Sequence, residues 1–272
     1  MNAHVPAVDF SRQSFLGDGS QSIIERTIVG VVGLGGGGSH IVQQLAHMGF
    51  LEFVIFDSQS IEASNLNRLI GATQADVDAK IPKVKIAERL IKGIRPHAKV
   101  EAVEDIWQRD RSKLIRCDVL FGCVDGLDQR RQLERTTRRY LIPLIDIGMD
   151  VYENADGPPS LSGQVVLSMP GTACLTCMGF LNQNRLATEA AAYRDAGINP
   201  QVVWANGILA STAVAIAIDL LTDWTQSLRK PVYLSLRGNH LHLTSDPVLA
   251  HVPESCSHFP IDQVGSPRIQ PL

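Results

Sequence analysis

The first long apolar stretch, Thr27–Leu34, is a continuous run made mostly of Val and Ile. A run without polar alternation predicts a strand buried on both faces, as in the middle of a parallel sheet. Glycines occupy 35–38, and a helical pattern follows over Ser39–Met48, stopped by Gly49. A second apolar strand, Phe53–Phe56, ends at Asp57. The pattern then continues with a helix over Lys83–Ile94, a strand near Lys99–Val103, a strand at Val119–Val124, a helix at Gln129–Tyr140 and a strand at Leu144–Ile147. Strands alternating with helices predict an α/β fold with a doubly wound, mostly parallel, Rossmann-like sheet.

Past residue 150 the regime changes. Gly163–Ser168 and the segments around Tyr233–Leu236 and His240–Thr244 read as antiparallel strands extending the sheet, with a turn at Gly157-Pro158-Pro159. Between them lie a polar stretch, 178–200, and an apolar helix near 205–222. Its greasiest part, Ile208–Leu221, is interrupted by Ser211, Thr212 and Asp219 and is shorter than the roughly 20 residues that span a bilayer. It reads as a buried core helix. The expected division is a helical lead-in at 1–26, an α/β part at 27–150 and an antiparallel extension at 151–272, all within one domain.

Composition narrows the classes. At 272 residues and 44% hydrophobic content the chain can bury one large core. A net charge of −3 and a pI near 6.2 argue against bulk attraction to nucleic acid or to an anionic membrane. Met1–Phe15 holds no apolar run of signal-peptide length, and five cysteines, an odd number, do not read as a disulfide framework. The expected setting is a reducing cytoplasm.

Gly33-Leu34-Gly35-Gly36-Gly37-Gly38-Ser39 satisfies G-x-G-x-x-G directly after a strand and at the mouth of a helix. Glycines let the backbone approach a phosphate, and the helix N-terminus favours negative charge. Asp57, at the end of the next strand, stands where a carboxylate can accept from ribose hydroxyls. Up to this point ATP and NAD are equally served. Arg68, Lys83, Lys85 and Asp125 then gather cations and a carboxylate near the C-terminal edge of the sheet. A dehydrogenase has no need of several cations there, whereas attack on the α-phosphate of ATP loads charge onto phosphoryl oxygens and uses a Mg²⁺ with oxygen ligands.

These motifs, in this order, resemble the ThiF/MoeB/HesA family of ubiquitin-activating-enzyme-like adenylyltransferases, over roughly residues 10–222. Gly33–Ser39 matches the family's G-x-G-G-x-G-S loop, which implies nucleotide binding by Gly33, Gly35, Gly36, Gly38 and Ser39. Asp57 falls at the ribose-binding acid. Ser64-Asn65-Leu66-Asn67-Arg68 is similar to S-N-L-x-R, whose arginine contacts the triphosphate, and Pro82-Lys83 to the P-K whose lysine also binds phosphates. Asp125 corresponds to the aspartate that holds Mg²⁺, with Arg130 at the expected distance beyond it. Arg12-Gln13 resembles the N-terminal R-Q whose arginine reaches the ATP of the partner subunit. Asn206-Gly207 before the apolar helix fits as well. Two positions depart: Gly126 replaces a common Asn, and Gln59 replaces a common second acid.

The resemblance also bears on the cysteines. Cys174-Leu175-Thr176-Cys177 is similar to the first half of the family's structural zinc site, but the second C-x-x-C is absent. Cys256 and His258 could complete four ligands for Zn²⁺, with His251 as the substitute imidazole. Unrelated surface cysteines and redox chemistry are the competing readings. Cys117 and Cys123 read as buried structural thiols. Between Met178 and Ser255 there is no cysteine, so either the reaction stops at the acyl-adenylate or Cys174 or Cys177 is the acceptor.

The implied activity is ATP-dependent adenylation of the C-terminal carboxylate of a ubiquitin-like protein with a glycine tail, for later transfer to a sulfur donor or conjugating enzyme. Arg12, Asn65, Arg68, Lys83 and Asp125 would carry it, in a homodimer with ATP, Mg²⁺ and a structural Zn²⁺. Rivals are adenylation of a peptide or a tRNA nucleoside by the same fold, a non-catalytic scaffold subunit, and, more distantly, an NAD-dependent dehydrogenase. The arginines 130, 131, 135, 138 and 139 are the one basic cluster that could meet tRNA, and beside Glu134 they read instead as a solvated helix face.

Overall fold

The computed structural model describes residues 8–154, 156–182, 200–226 and 231–260. Most of the polar stretch 178–200, and the ends of the chain, lie outside the described residues.

The lead-in is a 3₁₀ turn at Ser11–Leu16 followed by helix α1 (Ser20–Arg26). The α/β part then runs β1 (Ile28–Val32), α2 (Gly36–Met48), β2 (Glu52–Phe56), α3 (Gln74–Asp78), α4 (Lys83–Ile94), β3 (Lys99–Val103), α5 (Arg111–Leu114), β4 (Val119–Gly122), α6 (Leu127–Arg139) and β5 (Leu144–Tyr152). After it come β6 (Ser160–Ser168), the long helix α7 (Val203–Thr222), β7 (Val232–Arg237) and β8 (His242–Ser245). Among the described residues these strands form one eight-stranded sheet in the order β3-β2-β1-β4-β5-β6-β7-β8. The first five are parallel, and β5–β6, β6–β7 and β7–β8 pair antiparallel. The expected fold class is therefore found.

The chain leaves β1 towards β2 and β3 and returns on the other side of β1 as β4. That reversal opens a crevice beyond the C-terminal ends of β1 and β4, where open α/β sheets bind ligands. Both faces of the sheet are covered. On one, Val29, Val31, Phe53, Ile55, Phe121 and Ile145 pack beneath α2, α4 and α7. On the other, Val32, Val54, Phe56, Leu120 and Leu144 meet Trp107, Leu114 and Leu133. This two-sided burial is why the strands read as unbroken apolar runs.

Helix α7 is apolar and long enough to pass for a membrane span, but just over half of it (56%) is buried inside the fold. Small residues such as Ala210, Ala213 and Ala217 let it pack closely against α2, β5 and β6. Two strand ends differ from expectation. The run at Leu144–Ile147 continues as strand to Tyr152, because the backbone keeps pairing with β6 after the side chains become exposed. His240 is not in a strand: Gly238–His240 forms a 3₁₀ turn and Leu241 takes a left-handed conformation (φ 53°), so β8 starts at His242.

Helix α6 corrects the expectation of a solvated basic face for Arg130 and Arg138, while Arg131 and Arg135 are exposed as expected. Arg130, Glu134 and Arg138 lie four residues apart, on the face turned into the protein, and are respectively 5%, 1% and 1% exposed. Arg130 forms an ion pair with Asp146 of β5. Arg138 donates to Ser168 Oγ and to the carbonyls of Thr172 and Ala173, while Glu134 accepts from Ser168 Oγ and from the Leu175 N–H. Burial pushes the Glu134 carboxyl up despite Arg138. Such a group is strongly destabilising once its partner is removed. Arg138→Met should lower the unfolding free energy by about 3–5 kcal/mol. Denaturant titration checks this, and a loss no larger than that of an exposed arginine would contradict the buried network.

Candidate functional site

The loop after β1 is held by its neighbours. Gly33 has φ +89°, and a Cβ there would lie 2.5 Å from the Cys123 carbonyl oxygen. A Cβ on Gly36 would lie 2.5 Å from Asn206 Nδ2. These glycines let β1, β4, α2 and α7 meet at one point. Gly35 is different: nothing of the protein lies within 4 Å of its Cβ position, and it caps the N-terminus of α2. A ligand phosphate has access there.

Asp57, leaving β2, fixes the loop's shape. Its Oδ2 accepts from the Leu34 N–H at 2.7 Å and its Oδ1 from the Gln59 N–H at 2.9 Å. Ser39 Oγ donates to Gly36 O and accepts from the Ile70 N–H, tying the loop to the segment after Arg68. Asn65 is buried in the 3₁₀ turn Ala63–Asn65, its Oδ1 accepting from the Glu62 N–H. Arg68 follows; its Nη1 donates to Ser64 O and Asn67 Oδ1, and its Nε to Gln201 Oε1 at 3.1 Å. Lys83 opens α4 and is only 7% exposed, with its Nζ donating to Gln59 Oε1 at 2.7 Å. Asp125 is exposed in the loop after β4 and accepts from Gln201 Nε2 at 3.4 Å.

One electrostatic fact stands out. Lys85 and Lys92 are paired with Glu88, and Arg89 with Asp76. Arg68 and Lys83 have no ion pair among the described residues; each is held by neutral oxygens. Gln59, where a second acid was the common alternative, is what leaves Lys83 uncompensated.

Arg12 lies elsewhere. Its neighbour Gln13 donates to Met48 O and to Gln21 Oε1, which ties the Ser11–Leu16 turn to the C-terminal end of α2. Gly35 is at the other end of that helix, and thirteen residues span about 20 Å. Arg12 itself is exposed.

A second constellation is formed by Cys174, Cys177, Cys256 and His258, whose ligand atoms lie within 4.8 Å of one another. Cys177 Sγ is 3.7 Å from Cys256 Sγ and 3.3 Å from His258 Nδ1, and Cys174 Sγ is 3.6 Å from the same nitrogen. A tetrahedral ion with metal–sulfur bonds of about 2.3 Å and a metal–nitrogen bond of about 2.0 Å sets these edges near 3.8 and 3.5 Å. The donor set therefore fits one metal ion, through His258 and not His251, which sits exposed at the end of the Pro247–His251 turn. Cys174 is fully buried, and its Sγ accepts from the Cys177 N–H at 3.3 Å. Cys117 is packed beside Gly30, and burial pushes its thiol up to about 12. Burial likewise pushes the Cys123 thiol up.

Three contributors were not anticipated. Gln201 touches both Arg68 and Asp125, Gln59 holds Lys83, and Asp146 balances Arg130. Each is a polar residue without a motif around it, and for Gln201 the one local signal is its place between Pro200 and the start of α7.

Fold and loop define the class: a doubly wound α/β protein with a glycine loop of the nucleotide-binding type and an appended cysteine–histidine cluster. The chain belongs to the ThiF family, whose model matches residues 10–257. Molybdopterin-synthase adenylyltransferase of Haemophilus influenzae is 28% identical over 151 residues, 53% of this chain and 60% of that one. The sulfur carrier protein ThiS adenylyltransferase of Escherichia coli is 28% identical over 142 residues, 50% of this chain and 55% of that one. The chain thus spans less than two thirds of these relatives. The crystal structure of Escherichia coli MccB superposes with a TM-score of 0.70 at 18% identity, over 92% of this chain and 68% of that one, and shows the shared fold.

Proposed function

We propose that this protein is an ATP-dependent adenylyltransferase that activates the C-terminal carboxylate of a ubiquitin-like protein. The observation that carries the reading is a pair of cations without an acidic partner among the described residues, Arg68 and Lys83, with Arg68 bridged to Asp125 through Gln201, in a chain whose glycine loop leaves Gly35 open. The names of the relatives, adenylyltransferases for molybdopterin synthase and a sulfur carrier protein, support the substrate class.

In this reaction a carboxylate oxygen attacks the α-phosphorus of ATP, the bond to the β,γ-diphosphate breaks, and acyl-adenylate and pyrophosphate result. Arg68 and Lys83 neutralise the phosphates, and the Asn65 amide, aimed by its bond to Glu62, orients the triphosphate. Gly33, Gly35, Gly36, Gly38 and Ser39 form the phosphate loop, and Asp57 receives the ribose. Asp125 supplies an exposed carboxylate oxygen that would hold Mg²⁺, and the ion would offset charge on the phosphates. The attacking carboxylate is already ionised at neutral pH, so catalysis is positioning plus electrostatics. The thiolate–imidazole cluster suits structural Zn²⁺, closed to substrate by its four protein ligands. With the cysteines engaged there or buried, the reaction stops at the acyl-adenylate, and a separate sulfur donor or conjugating enzyme acts next. The arginines of α6 that are turned inward leave little basic surface for tRNA. Free cysteines suit a cytoplasmic setting.

The functional unit is a homodimer in which Arg12 serves the partner's site. The separation along α2 puts Arg12 out of reach of its own loop. Beside it Phe15, 65% exposed, stacks edge-on against Trp224 at 5.3 Å, an apolar surface fit for an interface. Mixing Arg12→Ala with Asp125→Ala protein, each inactive alone, should restore activity. A mixed dimer keeps one intact site of two, so up to about half the wild-type rate per dimer is expected. A mixed dimer by sizing that stays inactive would rule out action in trans. For the chemistry itself, Mg²⁺-dependent ATP–pyrophosphate exchange with a ubiquitin-like tail is the test; a scaffold subunit gives none.

A further inference from the structure

We propose that Gln201 is a positioning residue that sets the spacing and aim of Arg68 and Asp125 for Mg²⁺–ATP; this rests on the ATP reading above. Four contacts join these groups in a chain. Gln201 Oε1 accepts from Arg68 Nε at 3.1 Å, and its Nε2 donates to Asp125 Oδ1 at 3.4 Å. Asn67 holds both partners at once: its Oδ1 accepts from Arg68 Nη1 at 3.0 Å, and its Nδ2 donates to the Gln201 carbonyl at 3.3 Å.

The donor inventory shows what this achieves. A guanidinium has five N–H groups. On Arg68, Nε and Nη1 are taken by three neutral acceptors, Gln201 Oε1, Ser64 O and Asn67 Oδ1. Nη2 has no partner among the described residues. The guanidinium is thereby oriented with one nitrogen left for a phosphate and its full charge retained. A side-chain amide carries its acceptor and its donors on two different atoms, so it can accept from a cation on one side and donate to an anion on the other. Standing between Arg68 and Asp125, it satisfies both and keeps them from pairing with each other. A direct guanidinium–carboxylate pair would have to be broken by each incoming nucleotide.

Gln201 lies at the start of α7, far in sequence from both groups it serves. The arrangement makes the aim of the two charges depend on the docking of that helix. Asn67 is the variable position inside the S-N-L-x-R segment, so the interlock uses a residue that the motif leaves unspecified.

The experiment measures the Kd of Mg²⁺–ATP by calorimetry on the full chain without acyl substrate. Gln201→Met keeps the length and removes both hydrogen bonds. It should weaken binding about 5- to 10-fold, the scale of hydrogen bonds to charged groups. Gln201→Glu places a carboxylate against Arg68 and beside Asp125. It should weaken binding further, about 30-fold or more, because it neutralises the cation and sets like charges side by side. At saturating ATP the exchange kcat of Gln201→Met should stay within about threefold of wild type, since an interaction made equally in ground and transition states moves KM. Asn67→Ala should weaken binding similarly, and its combination with Gln201→Met should fall short of the product of the two effects, as expected for residues in one network. Unchanged affinity in Gln201→Met, or Gln201→Glu binding as tightly as Gln201→Met, would overturn the role. Wild-type protein that fails to bind Mg²⁺–ATP would overturn the ATP reading itself. Wild-type binding with silent Gln201 variants would overturn this inference alone.

Discussion

Replacing Asp125 by Ala should lower Mg²⁺-dependent ATP–pyrophosphate exchange at least about 100-fold, on the scale of losing a key preorganised electrostatic group. The effect follows from placement. Asp125 leaves β4 beside the crevice, opposite two cations, and its side chain is exposed, with Gln201 as its hydrogen-bond partner. Its removal therefore subtracts a ligand for the metal without opening a hole in the core. The thermal unfolding midpoint should stay within a degree or two, the range of a surface change of under about 0.5 kcal/mol. Raising Mg²⁺ should recover only part of the rate. Full exchange activity in Asp125→Ala would remove the residue from the site.

The second large effect concerns the metal cluster. Purified protein should carry about one zinc per chain, as four ligands around one ion require. Cys174→Ser should lose most of it and lower the melting temperature by about 10 °C or more, because metal binding is coupled to folding. The size of the effect comes from what the cluster holds. The segment around Cys174 packs Ala173, Leu175, Met178, Phe180 and Leu181 against Val166 and Tyr233. Arg138 and Glu134 grip the same segment through the Thr172 and Ala173 carbonyls and the Leu175 N–H. Released from the ion, that segment would leave buried charges on α6 with fewer partners. Elemental analysis with calorimetry decides, and metal-free protein of unchanged stability would show that the four side chains gather for another reason.

The alternation of strands and helices was legible because two-sided burial leaves continuous Val and Ile runs. Helix α4 and strand β3 fall where the pattern puts them. The start of α2 was not legible: the glycines at 36–38 are helical, and read as loop because glycine has low helical preference. Tertiary contact with Asn206 and Ile147 overrides that preference. The far half of β5 was hidden because its pairing with β6 is a backbone matter that exposed side chains do not advertise. On α6, charge was read as exposure. Arg130, Leu133, Glu134, Thr137 and Arg138 keep the spacing of a buried face, and the i, i+4, i+8 order Arg–Glu–Arg was the available clue. The residues proposed to contact phosphate stood out because motif order is a strong signal. Gln201 did not, since a lone amide carries no pattern; its meaning arises only when α7 docks against α2, β5 and β6.

That docking has a consequence for synthesis. Helix α7 packs most against α1, α2, β5 and β6, and every one of these precedes it in the chain. As the chain leaves the ribosome, N-terminal segments gain structure first. The most apolar segment of the protein thus emerges when the groove that receives it has already been translated, ahead of β7, β8 and the Cys256–His258 segment. A permuted chain that places α7 ahead of β1 would have the same contacts available at equilibrium, but would expose a twenty-residue, largely apolar segment for the whole time taken to make its partners. Insoluble product from that permutant, against soluble product from one opened after α7, would trace the order of elements to the needs of the nascent chain.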